Sequence, residues 1–171
     1  LPYGQEDVIL ALAEVAEKLV VVNISGSAVA MPWADSVDAI VQGWYGGTET
    51  GNALADVLTG KVNPSGRLPF SVPFRYEDGP IRTEAQYPGI KEEGDQYWQT
   101  HYDEGVYVGY RWYDTKEIPV QFPFGHGLSY TAFEYTDAKA AKSSMTAAGT
   151  LKVSVDVKNA GACDGVEVVQ P

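Results

Sequence analysis

The sequence has few of the residues that build disulfide frameworks and metal centres. Its 171 residues include one cysteine and two histidines, which excludes an internal disulfide and any multi-cysteine metal site. Basic residues are also scarce, because 12 Lys and Arg stand against 23 Asp and Glu, a formal net charge of -11. Such an acidic surface repels phosphate backbones, and we therefore expect no nucleic-acid partner.

Long hydrophobic runs are absent as well. No apolar run approaches the roughly 20 residues that cross a bilayer, so we expect no membrane-spanning helix. The first five residues, LPYGQ, contain no basic stretch, no apolar stretch and no initiator Met, and they resemble neither a signal peptide nor a natural start. Hydrophobic residues make up 44% and charged residues 20%, which is typical of a globular chain rather than a disordered one.

The first third of the chain has the pattern of a layered α/β fold. Residues 5–18 carry apolar side chains at helical spacing and predict a helix. Residues 19–24 are a β-branched run without alternation, which predicts a strand buried on both faces, as in parallel sheets. A second strand is predicted at 39–44 and a helix at 49–59, ended by Gly60. This order predicts a mostly parallel sheet sandwiched by helices.

The remainder of the chain reads differently. Residues 73–105 are rich in Pro, Gly and aromatics and predict a long irregular loop, a kind of segment that is often functional. Tyr110 and Trp112 occupy alternate positions in the segment 106–113, which we predict to be a strand. Apolar and polar residues alternate over 151–158, and 166–170 would begin the partner strand. We therefore expect the first strands of a β-sandwich from about residue 130.

Few residues qualify for chemistry. Residues 25–27 follow a strand but lack the Gly-x-Ser-x-Gly pattern of a nucleophile elbow. The segment HYDE at residues 101–104 could form a metal or acid/base centre, but an acidic loop with an ordinary histidine explains it better. His126, between two glycines, is better explained as a packed loop residue than as a catalytic one.

Glu49 is the residue that we single out. It follows a predicted strand and opens a predicted helix, and ligands of α/β sheets bind beyond the carboxyl ends of the strands. A carboxylate in that place can contact a polar ligand such as a sugar. The alternative is a Glu that stabilises the helix N-terminus through its charge. The residues alone do not supply the two paired carboxylates that glycoside cleavage requires.

Four segments together resemble a known family. In this order and spacing, they are similar to the C-terminal half of glycoside hydrolase family 3, the β-glucosidase and β-xylosidase group. The resemblance is strong over residues 1–135, and Glu49 matches a Glu that is common in the family's Gly-x-Glu segment. The segments are MPWAD at residues 31–35, GNALADVLTGKVNPSGRLP at 51–69, YDEGVYVGYRWYD at 102–114 and FPFGHGLSYT at 122–131.

The resemblance implies an architecture for a longer parent protein. Family members have an N-terminal (β/α)8-type barrel, then an α/β sandwich, and often a fibronectin type III-like domain. Residues 1–128 would be the C-terminal part of the α/β sandwich, and residues 129–171 the beginning of the fibronectin-like domain. The barrel of the same protein would then be the main partner of this chain.

The resemblance also implies a retaining mechanism without a cofactor or metal. The family's Asp nucleophile lies on the barrel, and its acid/base Glu lies shortly before the motif that is LPYGQ at residues 1–5 here. Neither catalytic residue is therefore expected in this chain, which alone would be inactive. Glu49 would bind substrate or support the site.

These expectations define a function and its rivals. The parent would be an exo-acting β-glucosidase that releases terminal non-reducing β-D-glucosyl residues from an oligosaccharide or an aryl β-glycoside. A β-xylosidase or β-galactosidase of the same family is the nearest alternative. The aromatic residues Tyr97 and Trp98 favour a third hypothesis, a non-catalytic carbohydrate-binding or assembly module. The substrate class suggests a periplasmic or secreted location.

Overall fold

The computed structural model describes residues 3–169, which form two compact units. The first contains the described residues up to Gly51 together with Leu68–His126. The second contains Asn52–Arg67 together with the described residues from Gly127 onwards. The described residues form three two-stranded sheets, one parallel and two antiparallel, so the chain is a mixed α/β structure. The domain boundary expected between residues 128 and 129 stays a prediction.

A pair of parallel strands begins the first unit. Strand β1 (Val20–Asn23) pairs in register with β2 (Ala39–Gln42), which confirms both predicted strands and their parallel direction. The expectation that β1 is buried on both faces is wrong for the described residues, because Val20 is 45% exposed and its neighbours are only half-buried. Among those residues β1 has a partner strand on one side only.

The helix before β1 is shorter than predicted. Helix α1 spans Gln5–Ala13, whereas apolar spacing had extended it over residues 5–18. The residues beyond it turn toward the strand pair, where Lys18 Nζ contacts Asp38 Oδ1 at 2.8 Å and the Leu19 N–H donates to Asp38 Oδ2 at 2.8 Å. These two hydrogen bonds, that from Lys18 first, lower the pKa of the Asp38 carboxyl. The end of the predicted helix is therefore bonded to the Asp38 side chain and not to a preceding helical turn.

The apolar core of the first unit is centred on Trp33. Its side chain is 1% exposed and packs with Met31 and Val72, which are also buried. Further apolar residues of α1, β1, β2 and later segments surround this cluster: Ile9, Val21, Ala34, Val37, Ile40, Leu68, Phe70 and Phe122. Residues 31–35, one of the four segments of the family resemblance, thus supply the centre of the core.

The segment predicted as a strand over 106–113 forms no strand, and its second half belongs to a helix. Helix α3 spans Tyr110–Lys116 and begins after Gly109, which has a φ of 58°. Tyr113 is buried, and burial raises the pKa of its hydroxyl. Trp112 Nε1 donates to the Asp78 carbonyl at 2.9 Å. The alternating aromatics also fit one helical turn, and this packing selects the helix.

The region before α3 is largely irregular, as predicted for residues 73–105. Strand β3 (Val72–Pro73) pairs antiparallel with β4 (Val120–Phe122), and a single 3-10 turn covers Tyr76–Asp78. Further along, Ile90 and Gln99 form an isolated antiparallel bridge. No helix of the described residues has the length and apolar character that crossing a bilayer requires.

The second unit combines a helix with a strand pair. Helix α2 spans Thr50–Leu58 and is followed by Gly60 with a φ of 74°, as predicted. Strand β6 (Val153–Asn159) confirms the strand predicted at 151–158, and it pairs antiparallel with β5 (Phe133–Ala140).

The partner predicted for β6 is wrong. Residues 166–169 lie in no strand, and residue 170 falls outside the described residues. The observed partner is β5, whose sequence does not alternate regularly between apolar and polar residues. The pairing register of β5 shifts between Thr136 and Lys139, and Asp137 in this interval has a φ of 54°. Such an irregularity moves the following side chains to the other face and hides the strand from period-two analysis.

The turn NPSGR at residues 63–67 fastens the parts of the second unit together. Asn63 Oδ1 accepts hydrogen bonds from Ser129 Oγ at 2.9 Å and from the Tyr130 N–H at 2.8 Å. Asn63 Nδ2 donates to the Asp164 carbonyl at 2.9 Å. One amide side chain thereby holds three separate stretches of the chain.

A buried ion pair reinforces this turn. Arg67 Nη2 lies 2.6 Å from Glu167 Oε2, and the two side chains are 9% and 10% exposed. Partial desolvation of Tyr135 on β5, followed by the charge of Glu167, raises the pKa of the Tyr135 hydroxyl. Since both charges are removed from water, each depends on the other for its compensation.

Removing one partner of this pair is expected to destabilise the second unit strongly. Arg67→Met leaves Glu167 buried and uncompensated, which costs about 3–5 kcal/mol in the free energy of unfolding, measured by urea denaturation. Lys139→Met is the matched control, because its contact with Asp137 is exposed and should contribute less than about 1 kcal/mol. Equal effects of the two substitutions would contradict the role given to Arg67.

Candidate functional site

The carboxyl ends of β1 and β2 carry a network of amide side chains. Because the strands are parallel and in register, Asn23 and Gln42 end them side by side. Asn23 is 7% exposed, and its Nδ2 donates to Gln42 Oε1 at 2.8 Å. Gln42 Nε2 in turn donates to the carbonyl and to Oγ of Ser25, both at 3.1 Å. Ligands of α/β sheets bind beyond this edge.

Sequence reasoning missed this network. The only signal was that each predicted strand contains one amide residue, Asn23 in 19–24 and Gln42 in 39–44. A pairing between positions 19 residues apart becomes visible only once the strand register is known. The network satisfies polar groups that burial would otherwise penalise, and it fixes the loops that leave both strands.

The loop after β2 leads to Glu49. The Gly43 N–H donates to the Asn23 carbonyl at 2.8 Å, which ties the start of the loop to the network. The loop ends in a 3-10 turn over Gly47–Glu49, where Gly47 adopts a φ of 65° and its carbonyl accepts a hydrogen bond from Thr50 Oγ1 at 2.8 Å. Glu49 is exposed and directly precedes α2. Its place between strand and helix is as expected, and its role stays a prediction.

An open groove lies beside β1. Its volume is about 790 Å³, and it is lined among others by Val8 and Ile9 of α1, by Val21 and Asn23 of β1, and by Trp33. Glu49 is not among the lining residues. The indole N–H of Trp33 has no hydrogen-bond acceptor among the described residues. The groove is therefore lined by apolar side chains together with a few polar ones, among them Gln5, Asn23 and Ser25.

The other candidates do not assemble into a site. In the segment HYDE at residues 101–104, Glu104 accepts a hydrogen bond from Gln86 Nε2 at 2.9 Å. Within residues 3–169, no three His, Cys, Asp or Glu side chains lie together so that they could hold a metal ion. His126 is half-buried and packs on Phe122 with 5.1 Å between ring centroids, which confirms it as a packed loop residue.

The amide network predicts a local effect of substitution. Gln42→Met removes the acceptor of the buried Asn23 amide, so we expect a loss of about 1–3 kcal/mol in the free energy of unfolding. Hydrogen exchange should accelerate in residues 43–49 more than in α3. The double variant Asn23→Leu/Gln42→Met removes both partners and should lose less than the sum of the single variants. Additive losses would show that the two amides act independently.

Comparison with known proteins places this geometry in a family. The model for the glycosyl hydrolase family 3 C-terminal domain matches residues 1–130. Three relatives align over nearly the whole chain: β-glucosidase BoGH3A of Bacteroides ovatus, 48% identical over 99% of this chain; β-glucosidase B of Emericella nidulans, 49% over 98%; and thermostable β-glucosidase B of Acetivibrio thermocellus, 46% over 99%. The aligned part is 22%, 20% and 22% of these relatives.

Solved structures agree. DesR, a β-glucosidase from Streptomyces venezuelae in complex with D-glucose, superposes on 94% of this chain and 20% of its own, with a TM-score of 0.84 and 39% identity. β-Glucosidase 3B from Thermotoga neapolitana in complex with glucose covers 92% of this chain and 21% of its own, with a TM-score of 0.77 and 40% identity. This chain spans about a fifth of these relatives, and it belongs to the glycosyl hydrolase family 3 C-terminal domain family.

Proposed function

We propose that this chain is part of a retaining, exo-acting β-glucosidase. The parent would hydrolyse terminal non-reducing β-D-glucosyl residues of oligosaccharides or aryl β-glycosides. The observation that carries the proposal is alignment of nearly the whole chain, at close to half identity, with β-glucosidases from three organisms. Glucose bound in two structural relatives supports the same substrate class. Processing of such substrates suits a periplasmic or secreted enzyme.

The chemistry of retention belongs to the rest of the parent. A retaining glycosidase places two carboxyl groups roughly 5–5.5 Å apart, one as nucleophile and one as general acid and base. The family resemblance puts the first on a preceding barrel and the second before residue 1. The role of this chain would be to hold the site, with Glu49 at the carboxyl edge of β1 and β2 accepting hydrogen bonds from sugar hydroxyls. Such a mechanism requires no cofactor.

The finer architecture is part of the same proposal. A two-stranded parallel sheet is not stable by itself, so β1 and β2 would belong to a larger, mostly parallel sheet with helices on both faces. The exposed Val20 and the groove beside β1 offer a place for further elements of the parent.

The strand pair β5–β6 would begin a fibronectin type III-like sandwich. Tyr135 on β5 is 48% exposed, and Val153 and Val157 on β6 are 55% and 39% exposed. Two antiparallel strands with apolar side chains in water are marginal, whereas a second sheet packed on them would bury these residues.

The proposal predicts that the 171-residue chain has no glycosidase activity. It lacks both catalytic carboxylates, so release of nitrophenol from an aryl β-D-glucoside should remain at the buffer rate. A chimera of the Bacteroides ovatus β-glucosidase, with this chain in place of its matched segment, should turn over the same substrate. Turnover by the isolated chain would refute the claim that both catalytic carboxylates lie outside it. An inactive but folded chimera would refute the assignment to β-glucosidases.

Glu49 can be tested in the same chimera. A hydrogen bond to a charged group contributes roughly 1.5–3 kcal/mol, so Glu49→Gln should lower kcat/KM for the aryl glucoside by about tenfold or more. Glu17→Gln, another exposed position, is the matched control and should leave kcat/KM unchanged. An unchanged kcat/KM in the Glu49 variant would assign this residue to the N-terminus of α2 alone.

A further inference from the structure

Residues 83–104 form an ordered hairpin, here called the aromatic hairpin. Two hydrogen bonds join its arms, from the Ile90 N–H to the Gln99 carbonyl at 2.9 Å and from the Gln99 N–H to the Ile90 carbonyl at 2.8 Å. Nearer the base, the His101 N–H donates to the Ala85 carbonyl at 2.8 Å. The predicted irregular loop thus has its own internal ladder.

The base of the aromatic hairpin is fixed by a buried glutamine. Gln86 is 6% exposed, and its Oε1 accepts the backbone N–H groups of Arg82 at 2.7 Å and Thr83 at 3.2 Å. Its Nε2 donates to the Pro80 carbonyl at 3.2 Å and to Glu104 Oε2 at 2.9 Å. One side chain therefore closes both ends of the hairpin onto the first unit.

The tip is braced by Asp95. Its Oδ2 accepts hydrogen bonds from the Glu92 N–H and from Gln99 Nε2, both at 3.2 Å, and its own N–H donates to the Glu92 carbonyl at 3.1 Å. Gln99, which takes part in these contacts, directly follows Trp98 in the sequence. Polar groups beside an aromatic ring are the combination that recognises a sugar, whose C–H face stacks while its hydroxyls form hydrogen bonds.

The aromatic side chains of this hairpin face solvent. Trp98 is 61% exposed and Tyr97 72%, with Tyr87 at 68% and Tyr102 at 79%. Tryptophan is highly buried on average, and Trp33 of the same unit is 1% exposed. An aromatic side chain has only two torsion angles, so it loses little conformational entropy when a ligand covers it.

We propose that the aromatic hairpin binds a neutral β-linked glucan chain, with Trp98 and Tyr97 as the stacking rings. The hairpin carries six carboxylates and one lysine, which disfavours phosphorylated, sulfated or otherwise anionic ligands. The uncharged hydroxyls of a sugar are compatible with these carboxylates, because each hydroxyl can donate a hydrogen bond to a carboxylate oxygen. The β-linkage rests on the proposed function, whereas the binding of a neutral sugar rests on the hairpin alone and does not require Glu49.

The test is a titration of the full 171-residue chain with cellotetraose, followed by tryptophan fluorescence and by saturation-transfer NMR. We expect saturable binding in the millimolar range. Trp98→Ala should weaken cellotetraose binding by roughly fivefold or more, and Tyr97→Ala should also weaken it. Trp98→Phe keeps an aromatic ring and should bind more tightly than Trp98→Ala. Tyr45→Ala is the matched control, since Tyr45 is 77% exposed in the same unit but outside the hairpin.

Several outcomes would overturn the proposal. A folded chain that shows no saturable response would exclude the hairpin as a sugar site. A Trp98→Ala variant that binds cellotetraose as tightly as the unsubstituted chain would exclude it as well. Self-association of the chain that disappears in Trp98→Ala would identify a protein-docking surface instead. The titration uses the isolated chain, whereas hydrolysis is assayed in the chimera, so failure of the proposed hydrolytic function and failure of this proposal give different results.

Discussion

The in-register parallel pairing of β1 and β2 is the constraint on which the first unit depends. It brings Asn23 and Gln42 to one edge, where the Asn23 amide donates to Gln42 Oε1, and it fixes the starts of the loops toward Trp33 and toward Glu49. A shift by one residue would separate the two amides and would leave a buried donor without an acceptor. The position of the candidate site thus follows from strand register more than from any single residue in the loops.

The two units contain different kinds of buried polar contact. In the first unit, neutral amides meet at the edge of an apolar core. In the second unit, Arg67 and Glu167 are ionised groups enclosed by protein, so this contact gives geometric specificity at a considerable cost of desolvation. Asn63 adds the neutral contacts that set the direction of the same turn.

Sequence reasoning succeeded where one local preference dominated. The β-branched runs of β1 and β2 and the Gly60 that ends α2 are examples, because each is set by the residues themselves. It failed where packing between distant residues decides. The aromatics of α3 fit either period until Trp112 meets Asp78, and the irregular register at Thr136 hides β5. The site was predicted only as far as Glu49, because the amide network requires two strands to be placed side by side.

The interleaving of the two units along the chain has a consequence for how the protein is made. Residues 52–67 leave the ribosome well before the residues from 127 onwards with which they form the second unit. Arg67 must therefore wait for Glu167, a hundred residues later, before its charge is compensated. The second unit can therefore be completed only after every residue of the first unit has been synthesised. A chimera that takes its C-terminal strands from another family member would therefore also need residues 63–67 from that protein.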